Sequence, residues 1–105
     1  MQTFLALPRY SFTRAVLGYA PEHPGVFGLF LGPELIYLGH TDTSYGTIKA
    51  CLTSHFDGVH GGCTMEGTRY AWEVATSPAA RLLNLLQQFR ARNRCEPRCN
   101  EKPDT

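Results

Sequence analysis

Four cysteines have the widest chemical range of any side chains in this 105-residue sequence, because a cysteine can act as a thiol, a metal ligand or half of a disulfide. The N-terminus has neither a basic start nor an apolar stretch long enough for a secretory signal, which favours a cytoplasmic location. Reducing compartments do not sustain disulfides, so we expect free thiols. The cysteines are Cys51, Cys63, Cys95 and Cys99.

A metal site is the alternative role for these cysteines. Its ligands would come from Cys63, Cys95, Cys99 and a histidine such as His60. Structural zinc sites more often combine two compact cysteine pairs, and this sequence has only one such pair. Ordinary buried thiols are therefore the favoured prediction.

Arginines are concentrated near the C-terminus and could contact a polyanion. They are Arg81, Arg90, Arg92, Arg94 and Arg98. The formal net charge is only +1, so any contact with nucleic acid would be local. The alternative is a solvated helix end, where cations also favour the helix dipole.

Three strands and two main helices are predicted to position these groups. Two strands form a hairpin across Gly32-Pro33-Glu34, and a third is rich in strand-forming residues. The predicted strands span residues 25–31, 35–39 and 68–75. Apolar residues at helical spacing predict a helix over 44–56 and a second that starts after Ser77-Pro78, a capping serine with proline at the first helical position. We also expect a short helix over 11–17 capped by Ser11, and a loop over 57–67.

Length and composition fit one globular domain. The chain is 43% hydrophobic and 18% charged, with no low-complexity tract. We expect a single domain over residues 1–100 and a frayed tail over 101–105. The longest apolar run, residues 26–31, is far shorter than the roughly 20 residues that span a bilayer, so no membrane partner is expected.

Two tripeptides in the hairpin carry a resemblance to a known family. Gly25-Val26-Phe27 lies on the first strand and Tyr37-Leu38-Gly39 on the second, and Pro97-Arg98-Cys99-Asn100 lies near the C-terminus. With the helix over 47–55, this pattern resembles the GIY-YIG nuclease family across roughly residues 24–100. The resemblance implies an α+β fold: a small three-stranded antiparallel sheet with flanking helices. It also implies hydrolysis of a DNA phosphodiester with Mg²⁺ or Mn²⁺.

The family's reactive positions are only partly retained in this sequence. Tyr37, His55 and Asn100 match positions that the family uses. Phe27 replaces a tyrosine and therefore lacks its hydroxyl, and Cys51 stands where the family has an arginine. Tyr37 and His55 also have a structural interpretation, since a tyrosine in an apolar strand or a histidine at a helix end is often a packing residue.

The family's metal-binding glutamate has no match in the second helix. The helix pattern places Asn84 at that position, and the spacing from Asn100 places Gln88 there. A neutral amide is a weak sole ligand for a hard divalent cation. Glu73 and Lys49 are the nearest substitutes for the glutamate and the arginine.

These substitutions favour a catalytically impaired domain that acts by binding DNA or a protein partner. The candidate nucleic-acid contacts are Lys49, Arg90, Arg92 and Arg94. One alternative is an active divalent-metal-dependent endonuclease that uses the substitute residues. The second alternative is the thiol-metal binding module described above.

Overall fold

The computed structural model of the protein describes residues 4–41 and 46–101. Its architecture is α+β, with one antiparallel four-stranded sheet and flanking helices. The strands are β1 (Tyr10–Ser11), β2 (Gly25–Leu31), β3 (Glu34–His40) and β4 (Arg69–Val74). The helices are α1 (Arg14–Leu17), α2 (Ile48–Phe56), α3 (Gly62–Met65), α4 (Pro78–Asn93) and α5 (Arg98–Glu101), and a 3₁₀ turn spans Phe4–Ala6. No helix in the described ranges has the length and apolar character needed to cross a bilayer.

The central strand of the sheet is β2, because the strands lie in the order β1-β4-β2-β3. It forms the predicted hairpin with β3 and pairs on its other side with β4. All of β2 except Leu31 is buried. An uninterrupted apolar strand is what a position covered on both faces requires.

Alternating side chains along β2 divide the core into two layers. Phe27 and Leu29 pack with Leu52 of α2. Phe30 packs on the opposite side with Leu85 of α4. We call these two sides of the sheet the α2 face and the α4 face.

A β-bulge in β3 changes which residues reach the α2 face. Leu29 pairs with Tyr37 and Phe30 pairs with Leu35, so Ile36 is an extra residue between the two pairs. Ile36 and Tyr37 consequently both pack against the core on the α2 face, although they are neighbours in sequence. The sequence pattern gives no sign of this bulge.

The first strand corrects the prediction of three strands. Tyr10 and Ser11 pair with Tyr70 and Arg69 at the edge of β4. Ser11 therefore lies in a strand and does not cap the following helix. That helix starts at Arg14, where the hydroxyl of Thr13 accepts a hydrogen bond from the amide of Val16 at 3.3 Å.

The three predicted strands and the two main helices are confirmed; β2 has the predicted ends, and β3 and β4 differ from the prediction by one residue at each end. Helix α2 is capped by Thr47, whose hydroxyl accepts from the amide of Ala50 at 3.1 Å. The predicted start of this helix, 44–45, lies outside the described residues. Ser77 precedes α4 as predicted but makes no capping hydrogen bond with its side chain. The predicted loop 57–67 contains the short helix α3. The predicted tail 101–105 begins in α5 with Glu101, and its other residues lie outside the described ranges.

Candidate functional site

Three rings from the sequence-predicted site meet on the α2 face. The ring of Tyr37 lies 4.7 Å from that of His55 and 6.1 Å from that of Phe27, measured between centroids. His55 and Phe27 are 5.5 Å apart. A Cβ at residue 39 would lie 2.7 Å from the Tyr37 ring and 2.8 Å from the Phe27 ring. Gly39 is therefore the residue that allows both rings to cover this part of β3.

His55 is a buried titratable group of the ring cluster. It is only 3% exposed, and its Nδ1 lies 3.0 Å from the hydroxyl of Thr64 in α3. The ring of His60 stacks on it at 4.2 Å. Burial, and secondarily the neighbouring His60, lower the pKa of His55 to about 4. His55 is therefore neutral near pH 7 and is a weak base.

No guanidinium takes the place of the family's arginine on α2. Cys51 lies one turn before His55 and is half-buried against the core of the α2 face. Arg14 approaches the end of this helix from α1, with its guanidinium carbon 5.0 Å from the centre of the Phe56 ring. Its charge is paired with Asp57 at 2.6 Å. Sequence spacing gave no reason to associate Arg14 with α2.

Asn100 uses both ends of its amide on the backbone of β3. Its Nδ2 donates to the carbonyl of Leu38 at 2.9 Å, and its Oδ1 accepts from the amide of Leu38 at 2.9 Å. Since β3 is an edge strand, Asn100 satisfies the backbone groups that the sheet leaves open there. Asn100 thus bonds to the residue that follows Tyr37 in the sequence, and its side-chain amide is used by the backbone of the edge strand.

The candidate metal positions lie away from the ring cluster. Glu73 pairs with Val26 across the sheet and so lies on the α4 face. Its two carboxylate oxygens accept from Arg81 of α4 at 2.7 and 3.0 Å. The Oδ1 of Asn84 accepts from Arg81 and from Gln88, each at 2.8 Å.

A disulfide between Cys63 and Cys99 corrects the prediction of free thiols. It joins α3 to α5, with the two Cα atoms 5.7 Å apart. Two residues distant in sequence can meet this way only through the fold, which spacing could not reveal. Cys51 and Cys95 take no part in a disulfide. Disulfides are typical of oxidising compartments, which does not favour the predicted cytoplasmic location. That location stays a prediction.

The disulfide also removes two thiolates from the proposed metal ligand set. Cys63 and Cys99 cannot coordinate zinc as thiolates while they are bonded to each other. Within the described ranges, no three residues of the His, Cys, Asp and Glu types are placed to hold a metal ion.

The predicted nucleic-acid contacts do not gather on one surface. Lys49 lies on α2, whereas the three arginines belong to the C-terminal half and end of α4, across the sheet. Arg90 is paired with Glu96 at 3.4 Å. Arg94 ends the helix in a left-handed conformation with φ of 61°.

A small cavity of about 40 Å³ lies on the α4 face, enough for a few water molecules. The apolar part of its lining comes from Phe4, Leu35, Leu38, Leu85 and Phe89. Gln88 and Arg92 contribute polar groups. The cavity does not include the ring cluster, and no sequence pattern predicts it.

Comparison with known proteins gives no family assignment for the chain. A scan against protein-family models finds no match. A search of curated proteins also finds no significant match.

Proposed function

We propose that this chain is a GIY-YIG-like domain that no longer cleaves DNA and acts by binding a protein partner. The observation that carries the proposal is the environment of His55. This buried histidine has a pKa near 4 and is surrounded by Phe27, Tyr37, His60 and Thr64. The cluster is built for packing, and the groups that phosphodiester hydrolysis needs are not supplied at the matching positions.

Hydrolysis of a phosphodiester needs a base for water, a divalent cation and a positive group for the charge on phosphorus. Phe27 has no hydroxyl for proton transfer, and Cys51 has no positive charge. Glu73, the nearest substitute carboxylate, is held by Arg81 on the α4 face. Losing a base or a charge-stabilising group costs on the order of 10²-fold to 10⁴-fold in rate, so the combined defects leave little cleavage.

The pairing of four arginines, of which Arg90 is a predicted nucleic-acid contact, favours a protein partner over DNA. Arg14, Arg81 and Arg90 each have a carboxylate partner, and Arg98 lies within 3.7 Å of Glu34 and 3.3 Å of a second glutamate. DNA affinity depends mainly on positive groups that can displace counterions from phosphates. Arginines that are already paired contribute less to such a surface.

A gel-shift assay with labelled duplex at several salt concentrations tests the choice of partner. We expect no salt-dependent shift with the oxidised protein. A shift at low salt that weakens in Arg92→Gln/Arg94→Gln, but not in the control Arg14→Gln, would show DNA binding and contradict the proposal.

A positive test uses a partner identified from a pull-down and then purified. We expect it to bind the protein in solution after nuclease treatment of both components. Loss of binding on nuclease treatment would show that nucleic acid bridges the two proteins, which would also contradict a protein partner.

A further inference from the structure

The outer edge of β4 is only partly covered by the strand next to it. Strand β1 has two residues, which pair with Arg69 and Tyr70. The 3₁₀ turn that precedes β1 places Phe4 in the core of the α4 face, so the chain leaves the β4 edge before Tyr10. The remainder of β4, residues 71–74, extends past the end of β1.

The hydrogen-bond pattern identifies the backbone groups that point outward from this edge. Phe12 donates to the carbonyl of Thr68 at 2.9 Å on the β1 side, and Ala75 donates to that of Pro24 at 3.2 Å on the β2 side. In a strand, the backbone amide and carbonyl of one residue point towards one neighbouring strand, and those of the next residue point towards the strand on the other side. The amide and carbonyl groups of Trp72 and Val74 therefore point away from β2. Within the described ranges, no hydrogen bond reaches these four groups.

The other edge of the sheet shows how such groups are satisfied in this protein. The outward amide and carbonyl of Leu38 on β3 both bond to Asn100. The edge of β4 has no corresponding side chain among the described residues. An uncovered edge of this kind is a template for another strand.

We propose that two copies of this chain pair through their β4 edges, antiparallel about a two-fold axis at Glu73. In this register Trp72 of each copy lies opposite Val74 of the other, and the four outward groups of each strand are satisfied by those of the second copy. The interface is isologous, since the same residues contribute from both sides. The pairing does not depend on the function proposed above.

The side chains of β4 fit this register. Trp72 pairs with Phe27 and Val74 with Gly25 within the sheet, so both residues lie on the α2 face. The dimer therefore places an aromatic ring against a β-branched side chain twice, which is a favourable cross-strand pair. Val74 is 49% exposed in the single chain, and the second copy would cover it.

The charges at the axis are compatible with a second copy. Two Glu73 carboxylates would approach each other on the α4 face, but each is bonded at 2.7 and 3.0 Å to Arg81 of its own chain. Tyr10 limits the pairing at one end of each strand. The paired segment is far shorter than the roughly 20 residues that each partner contributes to a stable interface, so we expect weak and reversible association.

Sedimentation equilibrium from about 10 µM to about 1 mM tests the proposal, since weak association shows only at high concentration. The oxidised protein is used with Cys95→Ser, because Cys95 is exposed and could form disulfides between copies. We expect the weight-average mass to rise above 11.7 kDa with concentration. Circular dichroism confirms that each variant is folded.

Two substitutions at one residue and a matched control separate this edge from other surfaces. Val74→Lys adds a charge at the edge, and Val74→Pro removes an outward amide that the pairing with β2 does not use. We expect both variants to stay monomeric, and the control Val59→Lys, in a loop and 71% exposed, to associate like the parent. A constant mass of 11.7 kDa at all concentrations, association that persists in both Val74 variants, or a strand of another protein binding there in place of a second copy would overturn the proposal.

Discussion

Removal of the Cys63–Cys99 disulfide should destabilise the protein strongly. The two cysteines are 36 positions apart, and a cross-link that closes a loop of this length restricts the unfolded chain. The chain-entropy relation gives about 4 kcal/mol for such a loop at 25 °C. The double variant Cys63→Ala/Cys99→Ala should therefore unfold at a clearly lower urea concentration than the oxidised protein.

Local stability should fall most where α5 meets the sheet. Pro97 and Cys99 are buried, and Asn100 bonds to Leu38, so the disulfide holds the segment that covers the β3 edge. Without the cross-link we expect the amide of Leu38 to exchange with solvent faster while the amides of β2 keep their protection. Hydrogen exchange read by NMR measures both groups of amides in one experiment.

The control for this prediction is Cys95→Ser, which removes an exposed thiol outside the disulfide. It should change the unfolding free energy by no more than about 0.5 kcal/mol. A double variant as stable as the control would refute the reasoning from the disulfide. So would a mass, measured on protein purified without reductant, that shows Cys63 and Cys99 as free thiols.

Three further predictions concern the ring cluster of Phe27, Tyr37 and His55 and the edge clamp, which is the pair of hydrogen bonds between Asn100 and the backbone of Leu38. Because the pKa of His55 is lowered from 6.5 to about 4, the folded state binds fewer protons than the unfolded state between these pH values. The stability that His55 contributes should be fully present above about pH 6.5 and fall as the pH drops towards 4, and the fall should be less steep in His55→Gln. Titration of His55 near pH 6.5, measured by NMR, would contradict this prediction. Asn100→Ala leaves both backbone groups of Leu38 without their partner and should cost about 1–3 kcal/mol in urea unfolding; an unchanged midpoint would show that the clamp is not needed. Gly39→Ala places a methyl group 2.7 Å from the Tyr37 ring and should lower the free energy of unfolding by about 1–3 kcal/mol. The control Gly62→Ala, whose methyl group meets no atom within 4 Å, should lower it much less. Equal losses of stability in urea unfolding would contradict the crowding argument.

The elements with long apolar signals were predictable from the sequence. The continuous apolar run of β2 and the helical spacing in α4 depend on local pattern, and both elements are present where that pattern predicts them. Strand β1 was missed because two residues are too short to show a period of two. The bulge at Ile36 was missed because it depends on the pairing register with β2.

The functional role of the site residues stays a prediction, but their placement can be compared with the sequence. Tyr37 and His55 match positions of one family site, and their rings lie 4.7 Å apart because the hairpin and α2 form where the sequence pattern predicts them. Three other contacts depend on distances between separate elements: the hydrogen bonds of Asn100 to Leu38, the ion pair of Glu73 with Arg81, and the disulfide of Cys63 with Cys99. Sequence spacing specifies residues within one element and does not determine such contacts.

Incubation of supercoiled plasmid with the purified oxidised protein and Mg²⁺ or Mn²⁺ tests the central claim most directly. The Tyr37→Phe and His55→Ala variants are assayed in parallel to separate activity of this site from a contaminating nuclease. The structure predicts no nicking by the parent protein above the level of buffer and of the two variants. Nicking by the parent protein that disappears in both variants would contradict the proposal that this domain no longer cleaves DNA.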